Sequence, residues 1–322
     1  MKFYGLITAA SLSLLLAACG GDESAEPANT SEPVNGAETT PDAEMAASEA
    51  APVSLEAAAS GSWRSEANKA RDAYRNPVET LEFFGIEPDD TVVEVWPGGG
   101  WYTEILAPYL KDNGTYYAAM VDPSSPFGQR AMESFEANFI SKPETYGDIQ
   151  TVILGRDSEP MFAQGEADVV LTFRNVHNWM AGSYADKMFD DMYDALKPNG
   201  ILGVVEHRLN SADTQAPGAP TGYVHEDYVK QLAEDAGFVF VDSSEVNANS
   251  ADTKDHPGGV WTLPPTMRSQ DADGNTFENY DPATYEAIGE SDRMTLKFRK
   301  PTAEEIAEME AAAAAEDDSE EE

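Results

Sequence analysis

Apolar and polar positions along the chain alternate between two periods. Short runs rich in β-branched and aromatic residues predict strands at Thr91–Trp96, Tyr116–Val121, Gln150–Leu154, Ala167–Phe173, Ile201–Glu206, Phe238–Ser243 and Arg293–Phe298. Longer stretches with a helical apolar stripe lie between them, at Trp101–Leu110, Pro126–Phe139, Tyr184–Leu196 and His225–Ala236. Ahead of the first strand, Trp63–Tyr74 has helical composition. Asn76-Pro77-Val78-Glu79 then offers a cap, Pro at the first helical position and Glu at the third, which predicts a short helix through Phe84. Strands alternating with helices imply an α/β domain with a mostly parallel sheet covered on both faces. Val246–Ser291 breaks the rhythm. It is rich in Asp, Asn, Gly and Pro and too long for a routine connection, as expected of an irregular insertion, a lid or a partner surface.

The flanks follow a different pattern. Lys2 and an apolar stretch through Leu16 precede Ala17-Ala18-Cys19, which predicts a signal peptide over residues 1–18 rather than a membrane span. Leu16-Ala17-Ala18-Cys19 resembles the bacterial lipobox, so Cys19 is the expected lipidation site. Gly20 after it points, by the same resemblance, to the outer membrane facing the periplasm. Residues 19–61 are Ala, Glu, Ser, Thr and Pro with few large apolar side chains, and predict a disordered acidic tether. Residues 301–322 form an acidic tail, with a helix expected around Glu304–Ala315. The folded domain therefore occupies 62–300.

Charge narrows the partners. The chain has 322 residues with 59 Asp+Glu against 20 Lys+Arg, a net charge of −39. Ser62–Lys300 alone holds 40 acids against 19 basic residues, so the body is acidic and not only its flanks. Such a surface cannot displace counterions from phosphates, which excludes a nucleic-acid binder, and it repels anionic lipid, leaving the lipid anchor as the membrane contact. One cysteine excludes an intrachain disulfide.

The chemistry concentrates at the turn after the first strand. Gly98-Gly99-Gly100 permits positive φ and lets a ligand approach backbone amides. The run can equally serve only as a tight connection. A dinucleotide would want G-x-G-x-x-G; Gly98 and Gly100 fit, but the last position is Thr103. A nucleoside without pyrophosphate wants an acid before the turn and another after the second strand for the ribose. Glu94 and Asp122 stand there.

Val93-Glu94-Val95-Trp96-Pro97-Gly98-Gly99-Gly100 resembles the first motif of the class I S-adenosylmethionine-dependent methyltransferases, in particular a group of predicted bacterial methyltransferases with proline and three glycines in this turn. Asp168-Val169-Val170-Leu171, Leu196-Lys197-Pro198-Asn199-Gly200, Ala236-Gly237-Phe238 and Arg293–Phe298 follow in the family's order. The resemblance implies a Rossmann-like, mostly parallel seven-stranded sheet with helices on both faces and the last strand antiparallel, inserted beside the fifth. It also implies S-adenosylmethionine across Gly98–Gly100, with Asp122 on the ribose and Asp157 near the adenine. Trp96 stands where most of the superfamily has glycine, beside the expected methionine end, either shaping the substrate side or obstructing the cofactor.

Methyl transfer needs alignment, exclusion of water and, for a hydroxyl acceptor, a base. Arg174, Asn175, His177, Asn178 and Trp179 follow the fourth strand, where this fold presents residues to the acceptor. His177 is the candidate base, Arg174 the candidate holder of an acidic small-molecule acceptor. Glu206 and His207 form a second pair at the end of the fifth strand. The four histidines have no metal-ligand spacing, so no metal is expected. The other class of function is a cell-envelope binding protein that keeps the fold without methyl transfer, favoured by export away from the cytoplasm, where S-adenosylmethionine is made.

Overall fold

The computed structural model describes residues 53–162 and 165–309. The signal segment, Cys19, nearly all of the tether and the tail beyond 309 lie outside the described residues. Short helices α1 (Leu55–Ala59), α2 (Glu66–Lys69), α3 (Asp72–Arg75) and α4 (Pro77–Phe84) lead into β1 (Thr91–Val95), α5 (Thr103–Leu110) and β2 (Thr115–Met120). After them come α6 (Pro126–Phe135), a π turn at Glu136–Ile140, α7 (Pro143–Tyr146), β3 (Gln150–Ile153), β4 (Ala167–Phe173), α8 (Val176–Gly182) and α9 (Ala185–Ala195). The chain continues through β5 (Leu196–His207), α10 (Glu226–Asp235), β6 (Val239–Ser244), a 3₁₀ turn at Gly259–Thr262, α11 (Pro282–Ile288) and β7 (Arg293–Arg299).

The sheet has seven strands in the order β3-β2-β1-β4-β5-β7-β6. All neighbours are parallel except β7, which is antiparallel to both β5 and β6. The strand order reverses between β1 and β4, and their carboxyl ends open the crevice where ligands of such sheets lie.

Alternation along the central strands builds one core on each face. Val92, Val169 and Leu171 pack on one face with Leu81, Phe84, Ile105 and Leu106. Val93, Val170 and Val204 pack on the other with Trp179, Met188 and Phe189. Pro77 opens α4 as predicted, but Asn76 does not cap it. Its backbone is left-handed (φ 38°) and its amide donates to the Val246 carbonyl at 2.6 Å. The tether ends sooner than its composition predicts, because Leu55 and Ala58 of α1 are buried in the core that contains α5.

The insertion 246–291 is fastened rather than loose. Asn247 donates to the hydroxyls of Thr80 and Thr295, each at 2.9 Å, and Asp252 accepts from Tyr223 at 2.9 Å. No helix among the described residues is long and apolar enough to cross a membrane.

Candidate functional site

β1 and β4 end in the same unusual way. Trp96 and Arg174, the first residues beyond each strand, continue the ladder with their N–H groups, to the Ala119 carbonyl at 2.8 Å and the Val205 carbonyl at 2.7 Å. Both then take left-handed backbone, φ 50° and 61°, which costs a bulky residue about 1–3 kcal/mol and persists where surroundings enforce it. Asn175 locks the two ends together by donating to the Val95 carbonyl at 2.9 Å and the Thr172 hydroxyl at 3.2 Å. Its NH2 group is thus spent on tying the strand ends together, a positioning task.

Between these ends lies a hollow of about 260 Å³ lined by Glu94, Trp96, Gly98, Gly99, Arg174 and Asn175, together with Arg71, Arg75, Trp101 and Tyr102. A Cβ on Gly98 or Gly99 would meet nothing within 4 Å, so the bare main chain faces open space. Gly100 is different, because a Cβ there would sit 2.2 Å from the Phe139 ring. That glycine is required by packing and does not line the hollow.

Glu94 is 2% exposed and accepts from the Tyr116 hydroxyl at 2.5 Å and the Thr103 hydroxyl at 3.0 Å, both on Oε2. Burial pushes its carboxyl up to about 7, against the pull of those two hydrogen bonds and of Arg174. Trp96 lines the hollow while its ring is anchored beyond it. Its indole reaches to the end of β3, donating to the Leu154 carbonyl at 2.8 Å, and packs edge-on against Trp179 at 6.0 Å.

Asp122 and Asp157 stand apart from this hollow. Both are exposed, and Asp122 Oδ1 accepts from the Ser124 N–H at 2.7 Å, which holds its carboxyl below the usual range. Trp101 and Tyr102 are buried and wall the hollow, whereas Trp63 and Tyr74 are 36% and 42% exposed.

A second hollow of about 240 Å³ adjoins the first. His177, His207 and Trp261 line it, and Arg71, Arg75 and Arg174 are common to both. His177 lies on α8, and the candidates after β4 and at the end of β5 come together in one group. His177 Nδ1 lies 3.0 Å from Glu206 Oε1, and Glu206, fully buried, also accepts from the backbone N–H of His177 at 3.3 Å and of His207 at 2.7 Å. A carboxylate at Glu206 is the acceptor for Nδ1–H of His177, the tautomer that leaves Nε2 free to act as a base. His207 Nδ1 lies 2.5 Å from the Ser291 hydroxyl. Burial, the largest influence, and the charges of Arg174, Arg293 and Arg75 push His207 well below its ordinary value.

The potential ligand atoms of His177, Glu206 and His207 fall within 4.8 Å of one another, a donor set that the expectation of no metal missed because 29 residues separate the first two. The guanidinium charges that keep His207 neutral oppose a dication at the same place. Arg71, Arg75, Glu290 and Trp261 had no local signal at all; the spacing of Arg71 and Arg75 by four, which puts both on one helical face, is the only trace in the sequence.

No protein-family model and no curated protein sequence matches the chain. Among solved structures, it is similar to a SAM-dependent methyltransferase from Aquifex aeolicus, with 21% identity over 55% of this chain and 87% of that one and a TM-score of 0.44. It is also similar to the [4+2]-cyclase SpnF, with 19% identity, 76% and 84% covered and a TM-score of 0.49. A third is the N-methyltransferase NodS from Bradyrhizobium japonicum WM9 in complex with S-adenosyl-L-homocysteine, with 13% identity, 77% and 96% covered and a TM-score of 0.43. These likenesses concern the fold and assign no activity to this chain.

Proposed function

We propose that the protein transfers a methyl group from S-adenosylmethionine to a small-molecule acceptor, as an exported, lipid-anchored protein of the bacterial cell envelope. The observation that carries the reading is the bare main chain of Gly98 and Gly99, open to solvent at the carboxyl end of β1, where the sheet order reverses. Gly98 and Gly99 would hold the cofactor by their backbone, Glu94 would face its methionine end, and Asp122 at the end of β2 would take the ribose hydroxyls. Bound there, the cofactor supplies an electrophilic methyl group.

The rest of the work falls to this chain's own residues. His177, fixed by Glu206, takes the proton of an acceptor hydroxyl at Nε2, and a positioned base of this kind contributes about 10²- to 10⁴-fold. The walls of Trp101, Tyr102 and Trp261 exclude water. Isothermal titration of the full chain with S-adenosylhomocysteine tests the cofactor site, with saturable binding expected. Absence of heat, together with an unchanged Tm at millimolar ligand, sinks the reading.

A specific observation favours a second reading, a non-catalytic envelope binding protein. Trp96 extends its indole to the end of β3, on the side where the resemblance puts adenine. If the indole stands in that place, Trp96→Gly creates S-adenosylhomocysteine binding that the natural chain lacks. On the methyl-transfer reading the natural chain binds without the change.

A further inference from the structure

Four guanidinium groups surround one carboxylate in a chain with almost three times as many acidic as basic residues. Glu290, 4% exposed, accepts from Arg71 Nε at 2.7 Å, Arg75 Nε at 2.9 Å and Arg293 Nη1 at 3.1 Å. Burial pushes Glu290 up, but Arg75, Arg293, Arg71 and Arg174 together override it and hold the carboxyl at about 2. It is therefore a full negative charge, and still only one against four.

The surplus is not absorbed locally. Arg293 Nη2 donates to the Tyr74 carbonyl at 2.6 Å, and the Arg75 guanidinium lies over the Trp101 ring at 4.8 Å. Arg75 Nη1 and Arg293 Nε remain buried with no hydrogen-bond partner among the described residues. The Arg174 side chain makes no hydrogen bond or ion pair among the described residues, although Arg174 lines both hollows. Glu94, the acid that lines the glycine hollow, is itself half-neutral near pH 7 through burial, and Glu206 is taken up by His177 and the His207 backbone N–H. Burial and mutual repulsion bring Arg75 down to about 8 and Arg174 to about 10, against the opposing pull of Glu290.

Arg75 is buried with one guanidinium nitrogen unpaired, Arg71 and Arg174 are half-buried, and a cluster of cations short of counter-charge is costly, a cost that a bound anion removes. Arg71, Arg75 and Arg174 form the partition between the glycine hollow and the hollow of His177 and Trp261, so an anion held there is reachable from both. The Trp261 ring, 5.9 Å from His177, offers a flat apolar wall on the second side.

We propose that Arg71, Arg75 and Arg174 bind the acid group of a small carboxylate or phosphate ester whose body lies against Trp261 beside His177. This molecule is the acceptor if the methyl-transfer reading holds, and the anion site stands on its own geometry if that reading fails. The outward surface, with its excess of acids, would repel such a ligand at long range, so selectivity rests on this one buried cluster.

Titration of the full chain with inorganic phosphate, benzoate and the neutral isostere benzamide tests the site. At least one of the anions binds and raises Tm, and benzamide does neither. Arg174→Met keeps or raises Tm in the absence of ligand, since a repelling charge is lost, and weakens the anion by about 10- to 100-fold. Arg174→Lys restores part of that loss. Equal binding of benzamide, or unchanged anion affinity in Arg174→Met, overturns the proposal. A repeat with saturating S-adenosylhomocysteine separates the two claims. Independent binding supports an acceptor site, whereas mutual exclusion assigns the cluster to the cofactor's own carboxylate and overturns it. Anion binding by a chain that ignores S-adenosylhomocysteine removes the methyl-transfer reading and leaves the anion site in place.

Discussion

Replacing Glu94 by Gln should abolish a pH dependence of stability that this buried carboxyl imposes. Burial is the largest influence on Glu94, ahead of the hydrogen bonds from Tyr116 and Thr103 and the charge of Arg174, and it carries the group from 4.5 to about 7. At about 1.4 kcal/mol per pH unit, that interval amounts to about 3 kcal/mol. The sign follows from proton counting. Between pH 4.5 and 7 the folded chain keeps a proton that the unfolded chain has released, so this contribution is full below 4.5. It is lost as pH rises through 7 and is flat beyond. Glu94→Gln cannot release a proton, yet its amide oxygen can still accept from Tyr116 and Thr103. Urea unfolding of both proteins from pH 4.5 to 8 measures the difference. His207, held below its ordinary value, contributes with the opposite sign, but equally in both proteins, and cancels. Relative to the variant, the natural chain should lose about 3 kcal/mol across the window. A difference that stays constant, or one that grows in favour of the natural chain as pH rises, refutes the assignment.

Gly99→Ala should change stability by less than about 0.5 kcal/mol while weakening S-adenosylhomocysteine in calorimetry, because the added methyl meets open space in the empty hollow. Gly100→Ala should lower stability by about 1–3 kcal/mol in urea unfolding, since its Cβ would meet the Phe139 ring and its φ is +76°. Asp122→Ala should weaken S-adenosylhomocysteine by about 1–3 kcal/mol with Tm unchanged, and equal affinity would remove the acid from the ribose. Asn175→Ala, which unties β4 from β1, should cost about 1–3 kcal/mol of stability by leaving the buried Val95 carbonyl short of a donor.

Strands such as β1, a short β-branched run that ends at Pro97 and Gly98, were legible, and β4 matches its predicted bounds, Ala167–Phe173, whereas β5 begins at Leu196, five residues before the predicted start. The glycine turn was legible as well, since glycines at adjacent positions state a backbone requirement directly. What the turn does was less so. Nothing local distinguishes Gly99, which faces open space, from Gly100, which faces a phenylalanine 39 positions later. Helix α8 escaped notice because its seven residues, Val176–Gly182, are too few to display a helical apolar period. The arginine cluster was invisible for a deeper reason. Arg71 and Glu290 are 219 residues apart and meet because α3 lies near the start of β7, a pairing with no periodic signature. Composition even pointed the wrong way, since a net charge of −39 gives no hint that its scarce cations gather at one point.

The left-handed backbone at Trp96 and Arg174 bears on how this molecule would respond to selection for robustness. Glycine would adopt both conformations without penalty, but at Trp96 it would forfeit the indole's bond to the Leu154 carbonyl and its packing on Trp179, so a screen scored only by melting temperature or protease resistance would be rewarded at Arg174 first. Each such gain would strip away a side chain that shapes the crevice. Hardy descendants obtained in that manner would keep their sheet and surrender their mouth, and any campaign to stabilise the protein should hold those two sites fixed.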